Sequence, residues 1–258
     1  EDLLWWWKQY DPSIHYMGLT AIDFQNCDLS SFLNLKVYIN PGGEAYDQLV
    51  DLGPIGTQNI ISFVHRDQDV TPSAYIGFCA GGYIAAHDFI WESVYEGVDY
   101  YDLVNNPPLS LIPHTVEGSI VDINDDQYGD QYASKYRLVN VSNNQQMLYY
   151  GGSTFGYNGV DPYADPNSES YDSDLEILIF YTDFYGYCSP NIPAAWKYKN
   201  IIATSVHPEA DNCTHTQDSD CPPAHTMPLS TILQNRAWLC THINNISQSS
   251  FLIPPVSI

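Results

Sequence analysis

Two segments of this chain carry residue types that can perform acyl chemistry. The first, Tyr75-Ile76-Gly77-Phe78-Cys79-Ala80-Gly81-Gly82-Tyr83-Ile84-Ala85-Ala86, runs an apolar strand into a cysteine and then, through two glycines, into the small-residue start of a helix. A cysteine at such a joint lies on a sharp turn with helix N–H groups beneath it. The positive potential there favours thiolate, the nucleophilic form. A bulky side chain at Ala80, Gly81 or Gly82 would block substrate approach or prevent the turn. A lone cysteine is more often a buried core residue, but the flanking Gly-x-Cys-x-Gly-Gly pattern reverses that preference. The second segment, Asn200-Ile201-Ile202-Ala203-Thr204-Ser205-Val206, reads as a strand ending in His207-Pro208-Glu209. Proline fixes an extended turn, so imidazole and carboxylate can leave the strand end together. Glu209 would then orient His207 and favour its imidazolium, while His207 takes the thiol proton. His-Pro-Glu alone is an ordinary surface turn; paired with the cysteine elbow it becomes a catalytic signal.

The elements that must position these residues are short. Apolar, β-rich runs at 35–39, 74–78, 146–150, 175–181 and 200–206 alternate with segments that can be helical, which is an α/β pattern. Glu1 to Tyr10 reads as a helix stopped near Pro12, apolar nearly all round with Trp5, Trp6 and Trp7, and so buried. Leu229 to Ile246 reads as an amphipathic closing helix, and Pro254-Pro255 as an extended tail. Length and an apolar content of 44% suit one domain over residues 1–258. No uniform apolar run reaches membrane-spanning length, and no repeat of solenoid period is present.

Four segments, in order, resemble the class I glutamine amidotransferase-like domain found at the N-terminus of biotin–protein ligases, here as a stand-alone member without a ligase domain. Val37-Tyr38-Ile39-Asn40-Pro41-Gly42-Gly43 is similar to the family's strand and Pro-Gly-Gly loop, and Ile76 to Tyr83 to its nucleophile elbow. Tyr149-Tyr150-Gly151-Gly152-Ser153-Thr154-Phe155 is similar to its mid-domain Gly-Gly strand. Leu175 to Tyr181, followed by Val206-His207-Pro208-Glu209, is similar to its closing strand pair. The resemblance implies a doubly wound, flavodoxin-like, mostly parallel sheet with helices on both faces. It implies a triad of Cys79, His207 and Glu209 at the carboxyl ends of the strands, where open α/β sheets place their ligands. It also implies an oxyanion hole from Gly42, Gly43 and the Ala80 N–H, a substrate pocket at Gly81, Tyr150, Gly151 and Gly152, and no cofactor. Ligase activity is not carried over. Two departures stand out. Ile14 to Phe24 falls where the second strand of the pattern belongs, so a peptide upstream of residue 1 is expected to supply the first. Tyr150 replaces a polar amide common in relatives, which leaves the substrate open.

Charge narrows the partners. Eight Lys+Arg against 31 Asp+Glu give a net charge of −23, with no basic stripe. Nucleic acid and anionic membrane are therefore excluded as partners, since phosphate contacts are built from Lys and Arg. Only 15% of residues are charged, and Tyr, Asn, Ser and Gln carry the surface. This suits a secreted or lumenal protein, as does cysteine usage. Cys213 and Cys221 bracket a polar loop that a disulfide could close; Cys188 and Cys240 could form a second, leaving Cys27 over, although connectivity does not follow from sequence. Zinc on Cys213, His215, Cys221 and His225 is the weaker alternative, because the ligand order is unfamiliar. Sequons at Asn140, Asn212 and Asn245 are candidate glycosylation sites, in a number that an Asn-rich chain reaches by chance. The acidic segments Asp122 to Asp126 and Asp161 to Asp174 lack the glycine and terminal glutamate of a helix-loop-helix calcium site, and read as solvated loops. His15, His65, His87, His114 and His242 show no partner pattern and are read as structural.

Two functions from different classes fit. The favoured one is a cysteine-dependent amidohydrolase or amidotransferase-like enzyme acting on a small-molecule or peptide amide or a related acyl group. The other is a non-catalytic extracellular binding or assembly protein, homo-oligomeric or built into a larger structure, that retains fold and triad; lightly charged, tyrosine-rich surfaces suit such contacts.

Overall fold

The computed structural model describes residues 8, 15–68, 72–91, 105–118, 120, 137–155, 171–182, 191–210 and 227–249. In chain order these form α1 (Ala21–Asn26), a 3-10 turn (Leu29–Ser31), β1 (Val37–Asn40), α2 (Ala45–Val64), β2 (Ala74–Phe78), α3 (Ala80–Ala85) and β3 (Ala86–Trp91). There follow β4 (Ile112–Gly118), β5 (Arg137–Val141), β6 (Gln145–Tyr149), β7 (Leu175–Phe180), β8 (Pro193–Tyr198), β9 (Ile201–Thr204), β10 (Val206–His207) and α4 (Leu229–Ser249).

The five-stranded central sheet has the order β1-β2-β9-β8-β7. Pairing is parallel from β1 through β2 to β9, and antiparallel from β9 through β8 to β7. The sheet is therefore mixed, and the expectation of a mostly parallel sheet holds only for its first three strands. The reason is local. Only Lys199 and Asn200 connect β8 to β9, with Lys199 at φ 54°, and a two-residue link can join strands only as an antiparallel hairpin. The smaller sheet β10-β6-β5 is antiparallel for a similar reason, since Ser142 to Asn144 turn β5 into β6 with Asn144 at φ 60°. β3 and β4 form a separate parallel pair.

Alternation along β2 decides which helix covers which face. Tyr75 packs with Leu49, Leu52, Ile60 and Phe63 of α2 and with Trp196 and Ala203. Ala74, Ile76 and Phe78 face the other way, onto Leu239, Cys240, Ile243 and Ile246 of α4. The parallel strands thus have helices on both faces. The buried positions of α4 recur at helical spacing, as the closing-helix reading of 229–246 requires. α2 breaks where Gly53 takes φ 59°, ψ 178° ahead of Pro54, a pair that cannot continue a helix.

One sequence expectation is corrected, and one strand was not expected. Residues 15–20 carry no regular structure and Ala21–Asn26 is helical, so the described part of the run from Ile14 to Phe24 is not a strand. Thr20 and Asp23 form a capping box there, with Asp23 Oδ2 accepting from the Thr20 N–H at 2.7 Å and the Thr20 hydroxyl accepting from the Asp23 N–H at 3.3 Å. The unexpected strand is Pro193–Tyr198, which carries proline and two alanines and gave no strand signal. Neighbours on both sides make it one, since β propensity largely reflects packing rather than backbone preference. The readings of 1–7, of Asp122 to Asp126, of Asp161 to Asp165 and of Pro254-Pro255 lie outside the described residues.

Candidate active site

Cys79 sits between the end of β2 and the first residue of α3, 5% exposed, with φ 50° and ψ −102°. A non-glycine residue held there stores about 1–3 kcal/mol of backbone strain, so its surroundings must impose it. They do so through the main chain. The Cys79 N–H donates to Thr204 O at 2.8 Å, and Cys79 O accepts from Gly82 N–H at 2.9 Å. Gly77 lets β2 and α3 approach, since a Cβ there would lie 2.4 Å from Gly81 O, and Gly82 makes room for Ser153, whose Oγ a Cβ would meet at 2.9 Å. The Tyr75 hydroxyl donates to Gly81 O at 2.8 Å, tying the helix to the strand below it. α3 has only six residues, so any helix-dipole help to the thiolate is small.

His207 enters from another direction. β9 ends at Thr204, the chain kinks at Ser205, and Val206 and His207 pair with Tyr149 and Leu148 of β6. The Ala210 N–H donates to His207 O at 3.2 Å, closing the turn that brings Glu209 back. His207 Nδ1 lies 2.8 Å from Glu209 Oε1, with the two side chains 13% and 20% exposed. The other ring nitrogen, Nε2, is buried and has no hydrogen-bond partner among the described residues. Burial opposes protonation of His207, but the Glu209 carboxylate and the nearby Cys79 sulfur outweigh it and hold its pKa well above the ordinary histidine range. The sulfur itself donates to Tyr150 O at 3.1 Å. The sulfur thus lies between a backbone carbonyl and an imidazole nitrogen that has no hydrogen-bond partner among the described residues.

Gly42 closes the site. A Cβ there would lie 2.8 Å from His207 Cε1 and 3.5 Å from Cys79 Cβ, so the Pro-Gly-Gly loop rests against both groups. Gly43 has φ 132°, which a side chain would strain. No hydrogen bond to the described chain occupies the N–H of Gly43 or Ala80. The expected pocket residues divide. Tyr150 is half-buried and meets the sulfur through its carbonyl, and Gly151 O accepts from the Tyr83 hydroxyl at 2.9 Å. Gly81 and Gly152 face packed protein instead: a Cβ on Gly81 would lie 2.7 Å from Asn40 O, and one on Gly152 1.9 Å from Ser205 O.

Several neighbours of the site carried no sequence signal. The Tyr181 hydroxyl and Ser205 Oγ are 2.7 Å apart and buried. Buried Arg236 of α4 donates to Glu209 O at 3.4 Å. Tyr38, Asn40 and Gln48 stand behind the Gly42 loop. Their types are common and only the packing brings them together, although a glutamine one turn into the helix after a Gly-Gly loop is a usable cue.

Cys240 is a correction. It carries a free thiol, packed in the apolar layer between α4 and β2 with its pKa pushed up by burial to about 12, and does not pair with Cys188. Cys27 is also free. Cys188, Cys213, Cys221, His215, His225 and Asn212 lie outside the described residues, while Asn140 and Asn245 are exposed. Among the described residues no group of three or more His, Cys, Asp or Glu is placed to hold a metal ion, and no helix is long and apolar enough to cross a membrane. His114, which had no partner in sequence, pairs with Asp172 at 2.9 Å.

A family model described as biotin-protein ligase, N terminal, matches residues 34–242. A solved structure described as a crystal structure of glutamine amidotransferase matches at 16% identity and a TM-score of 0.48, covering 86% of this chain and 84% of that one. No curated protein matches the chain in sequence.

Proposed function

Because the chain belongs to the biotin–protein ligase N-terminal family, whose likeness to glutamine amidotransferases the motifs share, we propose that it is a cysteine-dependent amidohydrolase or amidotransferase. The observation that carries this reading is the His207 ring: Nδ1 is held by Glu209, and a buried, unpartnered Nε2 is left beside Cys79. In this reading Nε2 takes the thiol proton before attack, the raised pKa of His207 favouring an imidazolium–thiolate pair, and Cys79 Sγ then attacks the carbonyl carbon of an amide as thiolate. The oxyanion that forms is met by the Gly43 and Ala80 N–H groups, each such donor contributing about 2.7–4 kcal/mol in kcat where the geometry is right. His207 returns the proton to the leaving nitrogen, leaving a thioester on Cys79. Water, deprotonated by His207, then releases the acid, or an amine takes the acyl group.

Glu209 keeps His207 in the tautomer and orientation that serve both halves of the cycle. The shortage of Lys and Arg favours uncharged or cationic substrates over anionic ones, and a secreted or lumenal setting belongs to the same proposal. The test is labelling of the folded protein with a diazoketone analogue of glutamine, read by intact mass and peptide mapping. One adduct on Cys79, lost in His207→Ala, is expected. No adduct, or equal labelling of the His207 variant, removes the reading.

A further inference from the structure

We propose that Gln48 is a positioning residue for the oxyanion-binding peptide, and that Tyr38 and Asn40 fix its direction; this rests on the acyl-transfer reading above. Three hydrogen bonds in series carry the inference. Tyr38 Oη donates to Asn40 Oδ1 at 2.6 Å, Asn40 Nδ2 to Gln48 Oε1 at 2.9 Å, and Gln48 Nε2 to Gly42 O at 3.2 Å.

The last acceptor sets the polarity of the whole series. A backbone carbonyl can only accept, so Gln48 must present its NH2 to Gly42 and its oxygen to Asn40. Asn40 must then present its NH2 to Gln48 and its oxygen to Tyr38, which leaves the phenol as donor. No amide in the series can flip without placing two acceptors or two donors face to face. Tyr38 suits the donor end: its ring packs edge-on against Phe24 and Tyr75, with centroids 5.2 and 5.6 Å apart, and burial pushes its pKa well above the usual phenol range. Asn40 is 4% exposed and lies against Gly81 of the elbow helix.

The consequence falls on one peptide plane. The oxygen that Gln48 holds belongs to the Gly42–Gly43 peptide, and in a trans peptide the N–H points opposite to the C=O. By fixing Gly42 O on the Gln48 side, the series turns the Gly43 N–H to the other side, where nothing in the described chain accepts from it. Gly42 touches Cys79 and His207, so this peptide borders the reacting sulfur. Two glycines give the loop many orientations. A side-chain clamp selects one of them before substrate arrives, and such preorganisation is what an oxyanion donor needs.

The clamp is separable from the nucleophile. Acylation of Cys79 by p-nitrophenyl acetate passes through a tetrahedral oxyanion, whereas alkylation by iodoacetamide displaces iodide directly and forms none. Both rates are followed in the full chain by mass at the Cys79 peptide. Gln48→Leu is expected to slow acylation by about tenfold to a hundredfold, with the rate and pH profile of alkylation unchanged. Tyr38→Phe, which keeps the ring and removes the first donor, is expected to show the same split at smaller size, and carries the test if Gln48→Leu does not fold. An equal fall in both reactions, or no fall in acylation, overturns the proposal. A wild-type protein that is alkylated at Cys79 but never acylated overturns the acyl-transfer reading itself, and the clamp's role with it.

Discussion

His207 meets Glu209 at 2.8 Å and His114 meets Asp172 at 2.9 Å, and each of the four side chains is about a fifth exposed or less. The resemblance ends at the choice of nitrogen. His207 spends Nδ1 on its carboxylate and keeps Nε2 for the space beside Cys79. His114 spends Nε2 on Asp172, and its ring packs edge-on to Phe155 and Tyr198. No cysteine adjoins that pair among the described residues; its neighbour is Lys199, which lies 3.4 Å from Asp174. A histidine–carboxylate pair is therefore not a site in itself. What sets the His207 pair apart is a second nitrogen without a hydrogen-bond partner among the described residues and a cysteine beside it.

The largest break in the comparison comes from the nucleophile. Cys79→Ala is expected to abolish acylation, a loss of about 10⁴-fold or more, measured as ester turnover and as loss of the mass adduct. Next, Glu209→Gln leaves a neutral partner that can hold the wrong tautomer, and is expected to cost about 10²–10⁴-fold in acylation rate. Asp172→Asn in the same assay is expected to leave that rate unchanged. If the two variants fall together, the distinction between the pairs is wrong.

A third difference is in pH dependence. The folded-state pKa of His207 lies well above its ordinary 6.5, so the fold prefers the protonated ring. That stabilisation is full below about pH 6.5 and is lost as pH rises through the raised value. Urea midpoints of the wild type are expected to fall between about pH 6 and about pH 9, and less steeply in His207→Gln. Asp172 has the opposite sign. Burial raises its pKa, but the Asp174 N–H and His114 outweigh that and lower it below 3.8. Its contribution is present above the unfolded value and disappears only as pH falls through the lowered one. The smallest effect belongs here: Asp172→Asn is expected to cost at most about 1 kcal/mol at neutral pH, because solvent screens a partly exposed pair. Denaturant titration would measure it.

The two pairs also differ in how far they can be read from the chain. His207 and Glu209 are two residues apart across a proline, and a strand end presents both to one place. His114 and Asp172 are 58 residues apart and come from unrelated segments, so no spacing rule links them. The elbow was legible because Gly77 and Gly81 are demanded by backbone contacts that any side chain would violate, and Gly82 by the close approach of the Ser153 hydroxyl. The parallel strands at 74–78 and 201–204 were legible because burial on both faces leaves unbroken apolar runs. β8 was not, since proline and alanine become strand only when β7 and β9 flank them. The reading of Cys240 as a disulfide partner failed for the same reason: its place in the layer between α4 and β2 is a tertiary fact.

By itself the sequence determined the local chemistry: a cysteine on a glycine-lined turn, a histidine tethered to a glutamate, and a Pro-Gly-Gly loop after a strand. Glycine and proline patterns act over a few residues through steric exclusion, so they are written in the chain. Tertiary structure alone decided which nitrogen of His207 stays open, that Gly42 rests on both Cys79 and His207, and that Tyr38, Asn40 and Gln48 line up behind the loop. Those relations are distances between side chains from different strands and helices. Hydrogen bonds act over about 3 Å, and only the packed sheet and helices bring such groups that close.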